Sequence, residues 1–286
     1  MSSQHTSMSE PRVLLRGLAY VESPRWHDGR LWFAHWGTDE IIAVDLDGTS
    51  EIAARGPGGL GWSIDWLPDG RLLVTGEGLS RHEADGSVVA HADLSHLAGD
   101  WNELVVDGRA NIYVNGRCDF DLGAGEPQGI IALVTPDGSV RQVADGIAFP
   151  NGMVVTPDNE TLIVAESVAG GLTAFDIDAD GSLSNRRVWA DGIGADGICL
   201  DAEGAVWAQS GVMSNACVRV HEGGQVLQRI DLDRSPFASM LGGPDGRTLF
   251  ILAAEWRGFE KLDEAIADRT GQVLVADAPA ARAGWP

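Results

Sequence analysis

Short apolar runs recur along the whole chain, among them LWFAHW, IIAV, LLVTG, IYVNG and LIVAES, each rich in β-branched or aromatic residues and closed by Gly, Asp, Asn or Pro. They are too short for the sustained 3.6-residue spacing of a helix, so they read as strands. Only residues 260–266 carry a helical pattern. The runs belong to a repeat in which an Asp-Gly-like turn leads into a β-rich run, a loop and a second β-rich run. Its copies begin near Asp28, Asp69, Asp107, Asp158, Ala202 and Asp245, at intervals of 41, 38, 51, 44 and 43 residues. That period is the one of a four-stranded antiparallel propeller blade, so the expected fold is an all-β, six-bladed β-propeller. A closed ring needs its ends to meet, which predicts that residues 13–16 pair beside residues 272–276. Residues 11–286 are expected to form this single domain, after a disordered polar tail over residues 1–10.

Composition narrows the partners. The chain has 286 residues, 44% of them apolar, with 37 glycines and 10 tryptophans, which suits a buried core of short strands joined by tight turns. Twenty Lys and Arg against 42 Asp and Glu give a formal charge of −22, which repels phosphate backbones and anionic membranes. A cation is the more natural partner, and neither nucleic acid nor membrane is expected. Cys118, Cys199 and Cys217 are odd in number and far apart, a pattern of free thiols in a reducing compartment rather than of disulfides or a zinc cluster. The N-terminal segment lacks the apolar stretch of a signal peptide, so the expected location is cytoplasmic. Oligomeric state leaves no mark in the sequence.

Four polar residues precede or open the predicted innermost strand of different repeats: Glu22 in VESPRW, Asn102 in DWNELVVD, Asn151 in FPNGMVVTPD and Asp196 in GADGICLD. Innermost strands line a propeller's channel, so these residues are expected to converge on its axis. Two carboxylates and two amide oxygens form a hard-oxygen set that suits Ca²⁺ better than Zn²⁺, with Mn²⁺ and Mg²⁺ as other divalent candidates. Each has a plainer reading, since Asn or Asp before Gly commonly forms a turn and a single Glu is commonly a solvated carboxylate. His35, Trp36, Trp62, Trp101 and Met213 are candidates for the pocket rim, and Arg117 could orient a carbonyl or carboxylate of a substrate. Aromatic residues in a propeller also pack between blades, and Arg117 could simply pair with Asp119.

At these motifs the sequence resembles the family of senescence marker protein, gluconolactonase and luciferin-regenerating enzyme. ESPRW, PNGMVVTPDNETLIVAES and ADGICLDAEGAVWAQ carry the resemblance, in that order, over residues 21–207 and more weakly into the last repeat. It implies a six-bladed propeller holding a catalytic Ca²⁺ or similar ion through Glu22, Asn151 and Asp196, with Asn102 as a further metal or substrate contact, and lactone hydrolysis as the activity. Sugar-lactone hydrolases of the family carry an Arg two residues before that Asn, where this chain has Asp100. Together with the tryptophans, this points to a small-molecule substrate less polar than a simple sugar lactone. Asp196 is the expected base for water, with Glu77, Asp119 and Glu166 as alternatives. No Gly-x-Ser-x-Gly elbow is present, and Cys199 sits in an apolar run, so no serine or cysteine mechanism is indicated. The competing readings are ester or phosphotriester hydrolysis, or ring-opening elimination, at the same metal, and a non-catalytic binding scaffold with a structural ion.

Overall fold

The computed structural model describes residues 10–116, 128–211 and 214–286. They form six four-stranded antiparallel sheets arranged as the blades of a propeller, numbered here in chain order from blade 1. The innermost strands are Val21–His27, Ile64–Trp66, Trp101–Val106, Pro150–Val155, Cys199–Leu200 and Ser235–Gly242. Their residues are largely buried, and the continuous apolar runs read from the sequence are the second and third strands of the blades, such as Arg30–His35, Glu40–Val44, Leu72–Thr75, Ile112–Gly116 and Thr161–Glu166, whose two faces pack between neighbouring blades. The side chains between blades form a succession of clusters, for example Leu73, Leu79, Leu94, Trp101 and Leu104 between blades 2 and 3.

The ring closes by strand exchange between its ends. Strand Arg12–Leu18 adds to the outer edge of Gly271–Asp277 in blade 6, with Arg12 opposite Val275, Val13 opposite Leu274, Leu15 opposite Val273 and Arg16 opposite Gln272. This is the pairing of residues 13–16 beside 272–276 that ring closure predicts. The predicted helical stretch is a 3-10 turn, Phe259–Lys261, running into an α-helix, Leu262–Asp268, which ends at Arg269 in the left-handed conformation. No helix among the described residues is long and apolar enough to cross a membrane.

The repeat visible in the sequence is out of phase with the blades. Its Asp-Gly turn joins the innermost strand to the second, so each blade starts one strand before the turn that marks it. The aspartates of these turns accept hydrogen bonds from the amide two residues on, as in Asp69 to Arg71, Asp107 to Arg109, Asp158 to Glu160, Asp201 to Glu203 and Asp245 to Arg247. Much of the acidity is therefore turn chemistry. At the same end of the channel, residues 278–286 run as a strap beneath several blades. Ala278 N donates to Arg247 O, Arg282 N to Gly246 O and Ala283 N to Leu200 O, and Trp285 exchanges both backbone bonds with Val155. Cys199 and Cys217 are buried free thiols, that of Cys199 pushed up to about 12 by burial, while Cys118 and the residues 1–9 lie outside the described residues.

Candidate functional site

Blade-to-blade hydrogen bonds identify which residues are equivalent around the channel. Trp62 O accepts from Trp36 Nε1 at 2.7 Å, Asn102 O from Ser63 Oγ at 2.9 Å, Asn151 O from Asn115 Nδ2 at 2.7 Å, Asp196 O from Gly152 N at 3.1 Å and Phe237 O from Gly197 N at 2.8 Å. In every case the donor lies in the preceding blade. These carbonyls mark one level of the ring, occupied by Trp62, Asn102, Asn151, Asp196 and Phe237, with Glu22 second in the innermost strand of blade 1. Three of the four sequence-predicted ligands, Asn102, Asn151 and Asp196, thus each take a hydrogen bond on their backbone carbonyl from the preceding blade.

The local backbone is irregular at this level. Strand register slips between Glu22 and Arg25, between Trp101 and Leu104, and between Pro150 and Met153. Such bulges leave residues out of the ladder and re-aim their side chains. Ser23, inside the first of them, has a φ of 50°, and Tyr20 just before Glu22 also has a φ of 50°, unusual for an aromatic residue. Gly152 and Gly197, which follow Asn151 and Asp196, are not turn residues with positive φ. A Cβ on Gly152 would lie 2.6 Å from Asp196 O, and one on Gly197 would lie 2.4 Å from Ala238 Cβ. The glycines let neighbouring blades approach; the turn-former reading does not describe Asn151-Gly152, which lies within Pro150–Val155, while Asp196-Gly197 forms a bend just before Cys199–Leu200.

The site is electrostatically unbalanced among the described residues. Glu22 is buried, and its carboxyl is raised well above the usual range by burial, then by the charges of Asp196 and Glu103; a hydrogen bond from Ser23 N at 3.0 Å opposes this. Asp196 is half-buried and pushed up to about 7 by burial and by Glu103, against a hydrogen bond from the Asn151 amide. With that amide N–H donating, the Asn151 side-chain oxygen stays available as a ligand. Asn102 Nδ2 donates to Pro150 O at 3.4 Å, which likewise leaves its oxygen free, 3.8 Å from where a Cβ on Gly61 would stand. Two crowded carboxylates with one hydrogen bond apiece and two amide oxygens are the donor set of a hard divalent cation. The residues present fit such an ion.

Aromatic residues wall one side. Tyr20 stacks on Trp36 at 6.2 Å and 11°, meets Phe237 at 5.0 Å and Trp256 at 6.4 Å, and its hydroxyl is raised by burial and by the charges of Asp196 and Glu22. Trp36 is half-buried here and Trp62 fully buried, its Nε1 donating to Gly59 O. Trp101 lies at 1% exposure in the core between blades 2 and 3. His35 is buried, accepts from Ala19 N at 2.8 Å and meets Thr38 Oγ1 through its other ring nitrogen. Glu166 accepts from Ala148 N and Thr173 Oγ1 and pairs with Arg186, Glu77 and Asp100 are exposed, and Arg117, Asp119 and Met213 lie outside the described residues.

The reading of the sequence passed over Tyr20, Phe237 and the Arg25–Glu103 pair. Phe237 could have been found by counting, since it stands 41 residues after Asp196, one repeat on. Arg25 Nη2 and Glu103 Oε2 meet at 3.1 Å with both side chains almost fully buried, and an arginine within a predicted innermost strand was the signal for that pair.

Residues 20–255 match the family described as "SMP-30/Gluconolactonase/LRE-like region". The chain is 26% identical over 287 residues to the pentonolactonase of Haloferax volcanii, covering 96% of each protein. It is 28% identical over 173 residues, 54% of each protein, to the diisopropyl-fluorophosphatase of Loligo vulgaris. In fold it is similar to a calcium-binding protein, regucalcin, of Agrobacterium tumefaciens, with a TM-score of 0.75 at 20% identity over 97% of each chain.

Proposed function

The chain belongs to the SMP-30/gluconolactonase/LRE-like family, and from that premise we propose that it is a divalent-metal-dependent hydrolase that opens lactones less polar than a simple sugar lactone. The observation that carries this reading is the ring position shared by Asn102, Asn151 and Asp196, with Glu22 beside them in a setting short of positive charge. In it, Glu22, Asn151 and Asp196 hold the ion, most favourably Ca²⁺, and Asn102 either completes the set or contacts substrate. When bound, such an ion supplies Lewis acidity for an ester carbonyl and a more acidic water. The likeness in sequence to a pentonolactonase over nearly the full length supports the reaction class.

The chain's own residues then have distinct tasks. A carboxylate oxygen of Asp196 takes the proton as water oxygen bonds to the carbonyl carbon. The ring C–O bond breaks and the departing alkoxide recovers a proton, leaving a hydroxy acid. Trp36, half-buried, presents aromatic surface at the rim; Trp62 and Trp101, expected from the sequence as substrate contacts, are each 1% exposed and fill core clusters between blades instead. Arg117 and Met213 remain proposed substrate contacts from the sequence. Asp100, exposed where sugar-lactone hydrolases of the family carry Arg, offers no cation for a polyhydroxylated ring.

A pH-indicator screen of aliphatic, aromatic and sugar lactones, with calcium and with chelator, tests this. Acid release from apolar lactones that chelator abolishes is expected, and turnover indifferent to chelator overturns it. The likeness to a diisopropyl-fluorophosphatase favours phosphotriester hydrolysis as the second reading, and an organophosphate in the same screen separates the two.

A further inference from the structure

Beneath the proposed ion site the channel holds a charged pair that neither turn chemistry nor the proposed reaction uses. Arg25 is third after Glu22 in the innermost strand of blade 1, and Glu103 follows Asn102 in that of blade 3. Arg25 Nη2 donates to Glu103 Oε2 at 3.1 Å and to Leu104 O at 2.9 Å, while Nη1 donates to Pro24 O at 3.0 Å. The pair therefore reaches past blade 2 to tie blades 1 and 3. Its two side chains are 7% and 6% exposed, so neither charge is relieved by bulk water. Glu103 is also tied to the ligand strands through its backbone, for Glu103 N donates to Asn115 Oδ1 at 3.1 Å and Asn115 Nδ2 donates to Asn151 O at 2.7 Å.

The charges in this part of the channel can be added. Glu22, Asp196 and Glu103 act on one another strongly enough for Glu103 to be felt at both other carboxylates, and Arg25 is felt at Glu22 and Glu103. Buried Asp65 also acts on Glu103, and Arg282 on Asp65, so four carboxylates and two guanidinium groups leave a deficit of two positive charges, the charge of one divalent ion. Without Arg25 the deficit would be three, and without Glu103 it would be one. At a short range and in a poorly solvated interior, one unit of charge is a large change in ion affinity.

We propose that Arg25 is a built-in counter-cation that sets the charge of the ion this channel accepts, with Glu103 as the group it offsets. This rests on the ion-site reading above. Arg25 acts as a positioning residue: it holds Glu103 in place under the ligands and limits the site to a single divalent ion. Glu103 alone, in an acidic channel, would draw in further positive charge.

Valence selectivity measures this directly, with a readout that simple structural damage does not mimic. The ratio of Kd for Ca²⁺ to Kd for Tb³⁺ is taken by calorimetry and by tryptophan-sensitised terbium emission, on folded protein, for wild type, Arg25→Met, Arg25→Lys, Glu103→Gln and the Arg25→Met/Glu103→Gln double variant. Arg25→Met should move the ratio toward Tb³⁺ by about tenfold or more, and Glu103→Gln should move it the other way. Arg25→Lys and the double variant, which keep the deficit at two, should return to within about threefold of wild type. If Arg25→Met does not fold, Glu103→Gln and the double variant decide alone. Ratios that do not follow net charge overturn the proposal while leaving the ion site standing. Wild-type protein that binds neither ion overturns both.

Discussion

The two ends of the propeller channel treat buried acids in opposite ways. At the strap end, Asp65 accepts from Trp66 N and Val106 N, Asp107 from Arg109 N, Asn111 N and Asn111 Nδ2, and Asp201 from Glu203 N, Ala205 N and Arg219 Nε. Each carboxylate there has donors on both oxygens from its own fold. At the other end, Glu22 has Ser23 N and Asp196 has the Asn151 amide. Burial is comparable for Asp201 at 1% exposure and Glu22 at 3%, while Asp196 is half-buried. The difference is in what the chain supplies. Acids that the fold needs come with their partners built in, and acids left short of donors imply a partner from outside.

Mutation should break this contrast cleanly. The largest expected effect is on turnover: Asp196→Asn should lower kcat/KM for any lactone substrate by at least about a hundredfold, through loss of an ion ligand. In chelator its melting temperature should match or exceed that of wild type, because the change removes a repelling charge and no ion is lost. A large drop in melting temperature in chelator would show that Asp196 is held by the fold like the acids at the other end. Asp201→Asn should do the reverse. It uncouples Arg219, 5% exposed in its side chain and bonded through Nε to Asp201 at 2.6 Å, and leaves it with Glu203 and a longer bond to Gln228 Oε1. The expected cost is about 3 kcal/mol, or a fall of roughly 6 °C or more in melting temperature, with calcium affinity unchanged. Weaker calcium binding in Asp201→Asn would mean the two ends are coupled through the strands.

How far the sequence reached follows the same division. The blade count, the closing pair and the helix near residue 262 were legible because turn residues and short apolar runs are local signals. The four polar residues could be grouped because each precedes or opens an innermost strand, Asp196 lying three residues before Cys199–Leu200. What stayed hidden depends on side chains meeting across blades. Arg25 finds Glu103 at a separation of 78 residues, and no local pattern in ESPRW says which acid it reaches. Trp36 and Trp101 look alike as aromatic residues near site motifs, yet one edges the channel level through its bond to Trp62 O and the other fills the core between blades. Only the pleat and the bulge register, set by tertiary packing, separate them. Gly152 and Gly197 read as turn formers because close approach by another strand is likewise absent from their local sequence.

The smallest effect is a difference of slopes with pH, and it bears on why the open end is short of donors. Asp196 sits at about 7 in the folded protein, above its ordinary value of 3.8. A carboxyl raised by folding adds stability that is fully present below its unfolded value and is lost as pH rises through its folded value. Protein in chelator should therefore lose stability between about pH 4 and 7 through this group, and Asp196→Asn should lack that component. A divalent ion needs the ionised carboxylate, so its stabilisation runs the other way and grows over the same interval. At a hundredfold excess over Kd the ion contributes about 2.7 kcal/mol, or roughly 5 to 10 °C in melting temperature. Differential scanning fluorimetry with calcium and with chelator should show that gap at pH 8 and its shrinkage toward pH 5 in wild type. A gap of the same size at both pH values, or one that persists in Asp196→Asn, would mean that the ion binds elsewhere and that the missing donors at this end have another explanation.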